Sequence, residues 1–276
     1  MLKQRVTTAV ILLAILGAAL AWSPAVFALL ATLAIVVATV EWLRLVGWGR
    51  GVALAVAITF GVLLIASLHY SGGLIVRAVS PSALLATVIW LGIAGLLIQA
   101  DALAVRLPRL PATVLAILLL GAAWNALVHF LLQGAAMLLS VFVIVWIADT
   151  AAYFAGRAFG RKKLAPHISP GKTWAGVYGA IGAVLVVAIA AWVLLPTAPI
   201  FTNRLLDDAG LPVTVLLIIA LVAMAIFGDL YESLLKRQAG VKDSSQLLPG
   251  HGGVYDRIDA LVPVLPLAAL IDGLAR

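Results

Sequence analysis

Cysteine is absent from this 276-residue chain, and charge is scarce: Asp, Glu, Lys and Arg make up only 11% of it. Without cysteine the chain can form neither a disulfide scaffold nor a zinc–thiolate site. So little charge, set against so much hydrocarbon, excludes a disordered chain. No stretch shows the period-2 alternation of a barrel strand. Neither a repeat of the whole unit nor a low-complexity tail is present. Hydrophobic residues make up 64%, and adding the 24 glycines brings the share to about 73%, against about 45–50% apolar residues in an ordinary soluble domain. A soluble fold of this length could not hide that much apolar surface. The composition therefore predicts an all-α, polytopic integral membrane protein, since helices are the spanning structure left open.

Apolar windows fall near 6–21, 24–40, 51–68, 82–100, 112–132, 136–155, 175–195, 212–230 and 260–275, about nine crossings at about 20 residues each. Breaks carry the expected punctuation, among them Ser23-Pro24, Ser71-Gly72-Gly73, Pro108 to Pro111 and Pro196 to Pro212. Lys3 and Arg5 ahead of the first window could belong to a signal peptide; an uncleaved first helix is the expectation, because a second apolar run starts at Pro24. With the N-terminus on the cytoplasmic side, 15 of the 18 basic residues fall on that side. Only Arg77, Arg204 and Arg276 fall opposite. That asymmetry fits the positive-inside rule and fixes the expected orientation. The expected organisation is a single membrane domain over 1–276, with N-terminal helices over 1–135 and catalytic helices and cytoplasmic loops over 136–276. The excess of 18 basic over 11 acidic residues points to anionic headgroups or a phosphorylated ligand rather than nucleic acid.

Two segments on the expected cytoplasmic side, Asp149–Lys172 and Asp229–Asp259, hold half of the basic residues and more than half of the acidic ones. Acids beside basic clusters at a membrane surface suggest a cation and a polyanion in one site. Asp149 ends the run Val145-Trp146-Ile147-Ala148. A carboxylate there costs about 2.5–3.5 kcal/mol at helix centre on insertion scales and less near an interface. Tyr153 and Arg157 would continue it along one helix face; an interfacial cap is the plainer alternative. Further on comes Ser169-Pro170-Gly171-Lys172-Thr173. A Walker A loop would need glycine at 166, where the chain has Pro166, and a preceding strand, which the sequence does not show, so a Walker fold is rejected. The N–H groups around Gly171, if they open the seventh helix, could bind phosphate with Lys172 and the helix dipole. A simple helix start with Thr173 near the cap is an equal reading.

The segment from Gly228 to Asp259 is the most informative. If the eighth helix continues past the bilayer, Asp229, Ser233, Lys236 and Arg237 share roughly one face. His251-Gly252-Gly253 reads as a tight turn whose glycines admit close backbone approach. Asp256 and Asp259 stand at i and i+3 where the ninth helix opens, and could be helix caps or ligands.

This segment resembles the signature of the phosphatidate cytidylyltransferases, the CDP-diacylglycerol synthases. Ser233, Lys236-Arg237, Lys242-Asp243, the turn at Pro249, His251-Gly252-Gly253 and Asp256-Arg257-x-Asp259 all stand in register with it. The sixth-helix and Ser169–Trp174 stretches are similar as well. Ala175, Ala180 and Ala151 depart from the pattern, which weakens any role for position 175. The resemblance implies transfer of CMP from CTP to phosphatidic acid, with Mg²⁺ as cofactor. Mg²⁺ prefers carboxylate, phosphate and water oxygens, so on that chemistry Asp229 and Asp256 are the expected metal ligands, with Asp149 and Asp259 second. Lys236 belongs with them in the catalytic group, as does His251, orienting a phosphate or a water. Lys172, Arg237, Lys242 and Arg257 are expected on phosphate. Ser169, Thr173, Ser233, Asp243 and the Gly252-Gly253 backbone are expected to complete substrate binding. A homodimer in membrane lipid, in a bacterial inner membrane, with N-terminus and active site cytoplasmic, is expected. A CTP-dependent lipid kinase and a polytopic transporter of an anionic substrate are the alternatives.

Overall fold

The computed structural model describes residues 2–70, 74–99 and 102–274, with side chains for 7–68, 81–99 and 103–274. The expected break at Ser71-Gly72-Gly73 and the side chains of Lys3, Arg5, Arg77 and Arg276 lie outside the described residues. The helices are α1 (Leu2–Trp22), α2 (Pro24–Leu45), α3 (Arg50–Tyr70), α4 (Leu74–Ile98), α5 (Arg109–Gln133), α6 (Ala135–Phe159), α7 (Trp174–Leu194), α8 (Phe201–Ala239), α9 (Tyr255–Ile258) and α10 (Leu261–Leu274). Each of the nine apolar windows holds one helix. Among the described residues seven are long and apolar enough to cross a membrane, while Thr7–Trp22 of α1 is a shorter apolar helix. The chain is a helical, polytopic membrane protein.

Local chemistry explains the boundaries. Ser23 caps α2 by accepting from the Val26 N–H at 3.1 Å, with Pro24 opening the helix, where its missing N–H costs nothing. Buried tryptophans Trp42, Trp90 and Trp124 fill the core, and the Trp124 Nε1–H donates to Thr32 Oγ1 at 2.9 Å. The expected break before Pro212 is partly helical. α8 starts at Phe201 and kinks at Gly210, whose φ of 72° suits glycine, two residues before Pro212. Thr214 Oγ1 donates to the Leu205 carbonyl at 2.9 Å across the kink, meeting the need for internal partners in lipid.

Helix alternation puts the C-terminal ends of α2, α6 and α8 at the same end of the bundle as the starts of α7 and α10. The opposite end is closed by a buried polar knot. There the fully buried Asp272 of α10 accepts from Arg204 of α8 at 2.5 Å, from His129 of α5 at 2.8 Å and from Gln133 at 3.0 Å. Removing one member of such a buried set costs about 3–5 kcal/mol, because a charge is left uncompensated. The knot ties α5, α8 and α10 together, and α8 runs on to carry Asp229 and Glu232 at the other end.

Candidate active site

The one strand pair among the described residues sits at the α6–α7 junction. Lys163–Ala165 (β1) and Ser169–Thr173 (β2) pair antiparallel, with Lys163 opposite Thr173 and Ala165 opposite Ser169. The Ser-Pro-Gly-Lys-Thr stretch is thus a strand, and Gly171 does not open a helix. Thr173 is the N-cap of α7, its hydroxyl accepting from the Gly176 N–H at 3.2 Å. The helix-start reading is the one realised, and Thr173 is buried in that role. β2 delivers Lys172, whose Nζ lies 2.8 Å from Asp229 Oδ2 on α8.

α8 does continue past its apolar window, to Ala239, and ends on Gly240 in the left-handed region. Gly228 lets it pack against the start of α10: a Cβ there would collide with the Asp259 carbonyl and with Pro263. That close approach brings Asp229 beside Asp259. Carboxylate oxygens of Asp229, Glu232 and Asp259 all lie within 4.8 Å of one another, and Ser233 Oγ stands 3.3 Å from Asp229 Oδ1. Asp149, Lys172 and Arg257 lie within electrostatic reach of this group. Burial pushes the Asp259 carboxyl well above its ordinary value, and the neighbouring Asp229 carboxylate pushes it further. Positive charge close by favours the ionised form of such a group of acids, and Lys172 stands against Asp229. Glu232 was not singled out from the sequence.

Asp256 takes a different place. Its Oδ1 accepts from Lys236 Nζ at 2.6 Å, and its Oδ2 accepts from the Ser244 and Gly253 N–H groups at 2.9 and 2.8 Å and from Ser244 Oγ at 2.7 Å. Burial alone would raise this carboxyl, but the hydrogen bonds it receives outweigh that and hold it well below the usual carboxylate range. Lys236 Nζ also reaches Glu232 Oε2 at 2.5 Å, so it bridges the acid group and the Asp256 loop. Among the carboxylates expected to hold metal, Asp229 and Asp259 are brought together, Asp149 stands nearby, and Asp256 is engaged by the loop and Lys236.

The His-Gly-Gly turn forms as expected. The Leu248 N–H donates to the Gly252 carbonyl at 2.8 Å and the His251 N–H to the Leu248 carbonyl at 2.9 Å, with φ of +80° at Gly252. His251 Nδ1 is buried without a protein partner among the described residues. Lys242, Asp243, Arg237 and Arg257 are exposed. Arg237 Nε donates to the Ile168 carbonyl in the turn between β1 and β2 at 3.3 Å, so it leaves the face shared by Asp229, Ser233 and Lys236. Arg157 donates to the Tyr153 hydroxyl at 3.3 Å, an exposed pair that does not extend to Asp149. Ser169 opens β2 and is half-buried.

Two largely apolar cavities flank the charged group. One, of about 560 Å³, lies between α4, α7, α8 and the hairpin and includes Trp174, His167 and Leu230. The other, of about 360 Å³, runs between α1, α2, α5, α6 and α10 and has Arg257 as its charged lining residue, with Trp146 and Ile258 near it.

A helical membrane bundle with grouped carboxylates, bridging lysines and a glycine turn at one end defines a class of polyanion-handling membrane proteins. The chain belongs to the cytidylyltransferase family, whose sequence profile matches residues 3–273. It is 38% identical over 282 residues to the phosphatidate cytidylyltransferase of Pseudomonas aeruginosa, covering 98% of this chain and 97% of that one. Identity is 48% over 134 residues to the Haemophilus influenzae phosphatidate cytidylyltransferase, covering 49% of this chain and 44% of the relative. The Brucella suis phosphatidate cytidylyltransferase is 44% identical over 144 residues, 51% of this chain and 48% of the relative. The last two matches span about half the length of the relatives.

Proposed function

We propose that this chain transfers CMP from CTP to phosphatidic acid, giving CDP-diacylglycerol and pyrophosphate. The observation that carries this is the grouping of Asp229, Glu232 and Asp259 beside Lys172 and Lys236, between apolar cavities. An oxygen of the lipid phosphate forms the new bond to the α-phosphorus of CTP. The bond from that phosphorus to the β-bridging oxygen breaks, and pyrophosphate leaves with the electron pair. The attacking monoester is already anionic at neutral pH, so the residues need supply no strong base. Their task is to let two polyanions meet and to stabilise charge on the leaving group.

Three carboxylate oxygens within 4.8 Å of one another form a hard-donor set that suits Mg²⁺; Asp229, Asp259 and Glu232 would hold it, with Asp149 close by. When bound, Mg²⁺ neutralises phosphate charge and orients the triphosphate. Lys172, freed from Asp229, and Lys236 meet the phosphates. The Gly252-Gly253 backbone and Ser233 donate to triphosphate oxygens, and His251 orients a phosphate or a water. Lys242, Arg237 and Arg257 draw anionic substrate to the site. The lipid enters sideways with its chains in the cavity lined by Arg257, where a cation meets an apolar groove. Purified protein given CTP, phosphatidic acid and Mg²⁺ is expected to release pyrophosphate in step with lipid-linked CMP. Release of CDP instead would favour a CTP-dependent lipid kinase.

The charge asymmetry of the sequence supports an N-terminus and active site on the cytoplasmic face of a bacterial inner membrane, and a homodimer is the expected assembly. In this naturally cysteine-free chain, single cysteines at positions 162 and 244 should label from the cytoplasmic side and one at the exposed position 208 from the other. Labelling of 162 and 244 from opposite sides would contradict a shared site.

A further inference from the structure

Glu41 belongs to none of the polar segments just described. It lies near the C-terminal end of α2, more than 200 residues before the loop that carries Asp256, and is only 3% exposed. A lone buried glutamate in a spanning helix is costly unless it is hydrogen-bonded. Here its two oxygens are fully engaged. Oε1 accepts from Ser245 Oγ at 2.6 Å and from the Val254 N–H at 3.1 Å; Oε2 accepts from the Tyr255 N–H at 2.7 Å and from Ser244 Oγ at 3.1 Å. All four partners belong to the 244–255 loop. Ser244 Oγ carries one proton and stands between two carboxylates, nearer Asp256 than Glu41. Gly253 leaves room for the crossing: a Cβ there would strike Ser244 Oγ and both Glu41 oxygens, so those side chains would have to shift. Beneath the loop, Trp42 packs on Tyr255 and Tyr231 with ring centroids 5.1 and 5.4 Å apart.

We infer that Glu41 is a positioning residue for the transferase site, acting through the 244–255 loop. It gathers both flanks of the His-Gly-Gly turn onto α2, and the loop so held presents Asp256 to Lys236. Lys236 in turn reaches Glu232, one of the three grouped acids. A carboxylate suits this task because it offers acceptors only, for the Ser245 hydroxyl and the Val254 and Tyr255 N–H groups. An amide would turn its N–H groups toward one of the two backbone N–H donors. The chain of contacts runs from α2 to the loop, to Asp256, to Lys236 and to the acid group. The inference rests on the transferase reading for its effect on turnover, and on geometry alone for its effect on the loop.

The test uses full-length protein in one detergent–lipid mixture, comparing wild type with Glu41→Gln, Glu41→Ala, Ser245→Ala and the Glu41→Ala/Ser245→Ala double variant. Amide hydrogen exchange at Val254 and Tyr255 should speed up at least about tenfold in both Glu41 variants, with the helical core unchanged. Turnover per folded protein should fall at least about tenfold in Glu41→Ala, and less in Glu41→Gln, with the loss mainly in kcat. Ser245→Ala should lower turnover alone but cost little more once Glu41 is alanine, since the two act through one contact. Should Glu41→Ala fail to fold, Glu41→Gln and Ser245→Ala carry the same two readouts. Unchanged exchange at Val254 and Tyr255, or wild-type kcat in a folded Glu41 variant, would overturn the inference. So would a loss of activity that merely follows the fraction of folded protein. If the wild type itself transfers no CMP, the transferase reading fails, while the exchange measurement still decides whether Glu41 holds the loop.

Discussion

Asp229→Asn is expected to lower turnover at least about a hundredfold, roughly 2.7 kcal/mol in the barrier, in protein that still folds. Asparagine keeps the shape and one oxygen but removes the charge that a hard cation requires. Asp259→Asn should behave alike, because its carboxylate meets that of Asp229 within the same group. Both variants should need more Mg²⁺ for half-maximal rate. Asp256→Asn separates two roles for a neighbouring acid. Its carboxylate accepts from Lys236, Ser244 and Gly253, so its loss should lower kcat through the loop with little change in the Mg²⁺ requirement. Rates measured over a Mg²⁺ series in all three variants decide the matter. Near wild-type turnover of Asp229→Asn and Asp259→Asn at limiting Mg²⁺ would remove the metal assignment.

Lys172→Ala and Lys236→Ala should each cost at least about two orders of magnitude in rate, again about 2.7 kcal/mol. Both lysines are largely shielded and ion-paired within the acid group. On the proposed reaction, a cation so placed would meet charge developing in the transition state. Lys163 is exposed on β1. A lysine at anionic headgroups contributes about 1 kcal/mol of surface attraction, which salt weakens. Lys163→Ala should therefore cost less than about tenfold. Matched folded protein at fixed lipid fraction, assayed at low and high salt, makes the comparison. Small, equal, salt-erasable losses in all three would place these lysines at the membrane surface only.

The helices were legible because lipid demands long apolar runs, and each of the nine windows holds one. The segment from Phe201 to Ala209 was not, since Pro196 and Pro212 mark a break and the helix there is held by contacts from elsewhere. The polar residues from Asp229 to Asp259 could be read because almost no other charge competes with them. Their pairing was less visible. Whether Asp229 would meet Asp256 or Asp259 depends on Gly228 closing α8 onto α10, a contact that sequence spacing does not encode. Glu232 hid within the same signature as one more helical glutamate. Glu41 looks from sequence like an ordinary interfacial residue four positions from a helix end, and its partners lie across the bundle. Asp272, His129, Gln133 and Arg204 come from three helices, so nothing local marks them as one knot. The hairpin was missed because the stretch around Gly171 was read as the start of the seventh helix, although Thr173 as a cap was in view.

The most direct measurement follows the phosphates of CTP separately. Purified protein in lipid with Mg²⁺ and phosphatidic acid receives CTP labelled at either the α- or the γ-phosphate. The α-label should enter the lipid while the γ-label leaves in pyrophosphate, both lost together in Asp229→Asn. A γ-label in the lipid with CDP released, or neither label in the lipid, would contradict CMP transfer by this site.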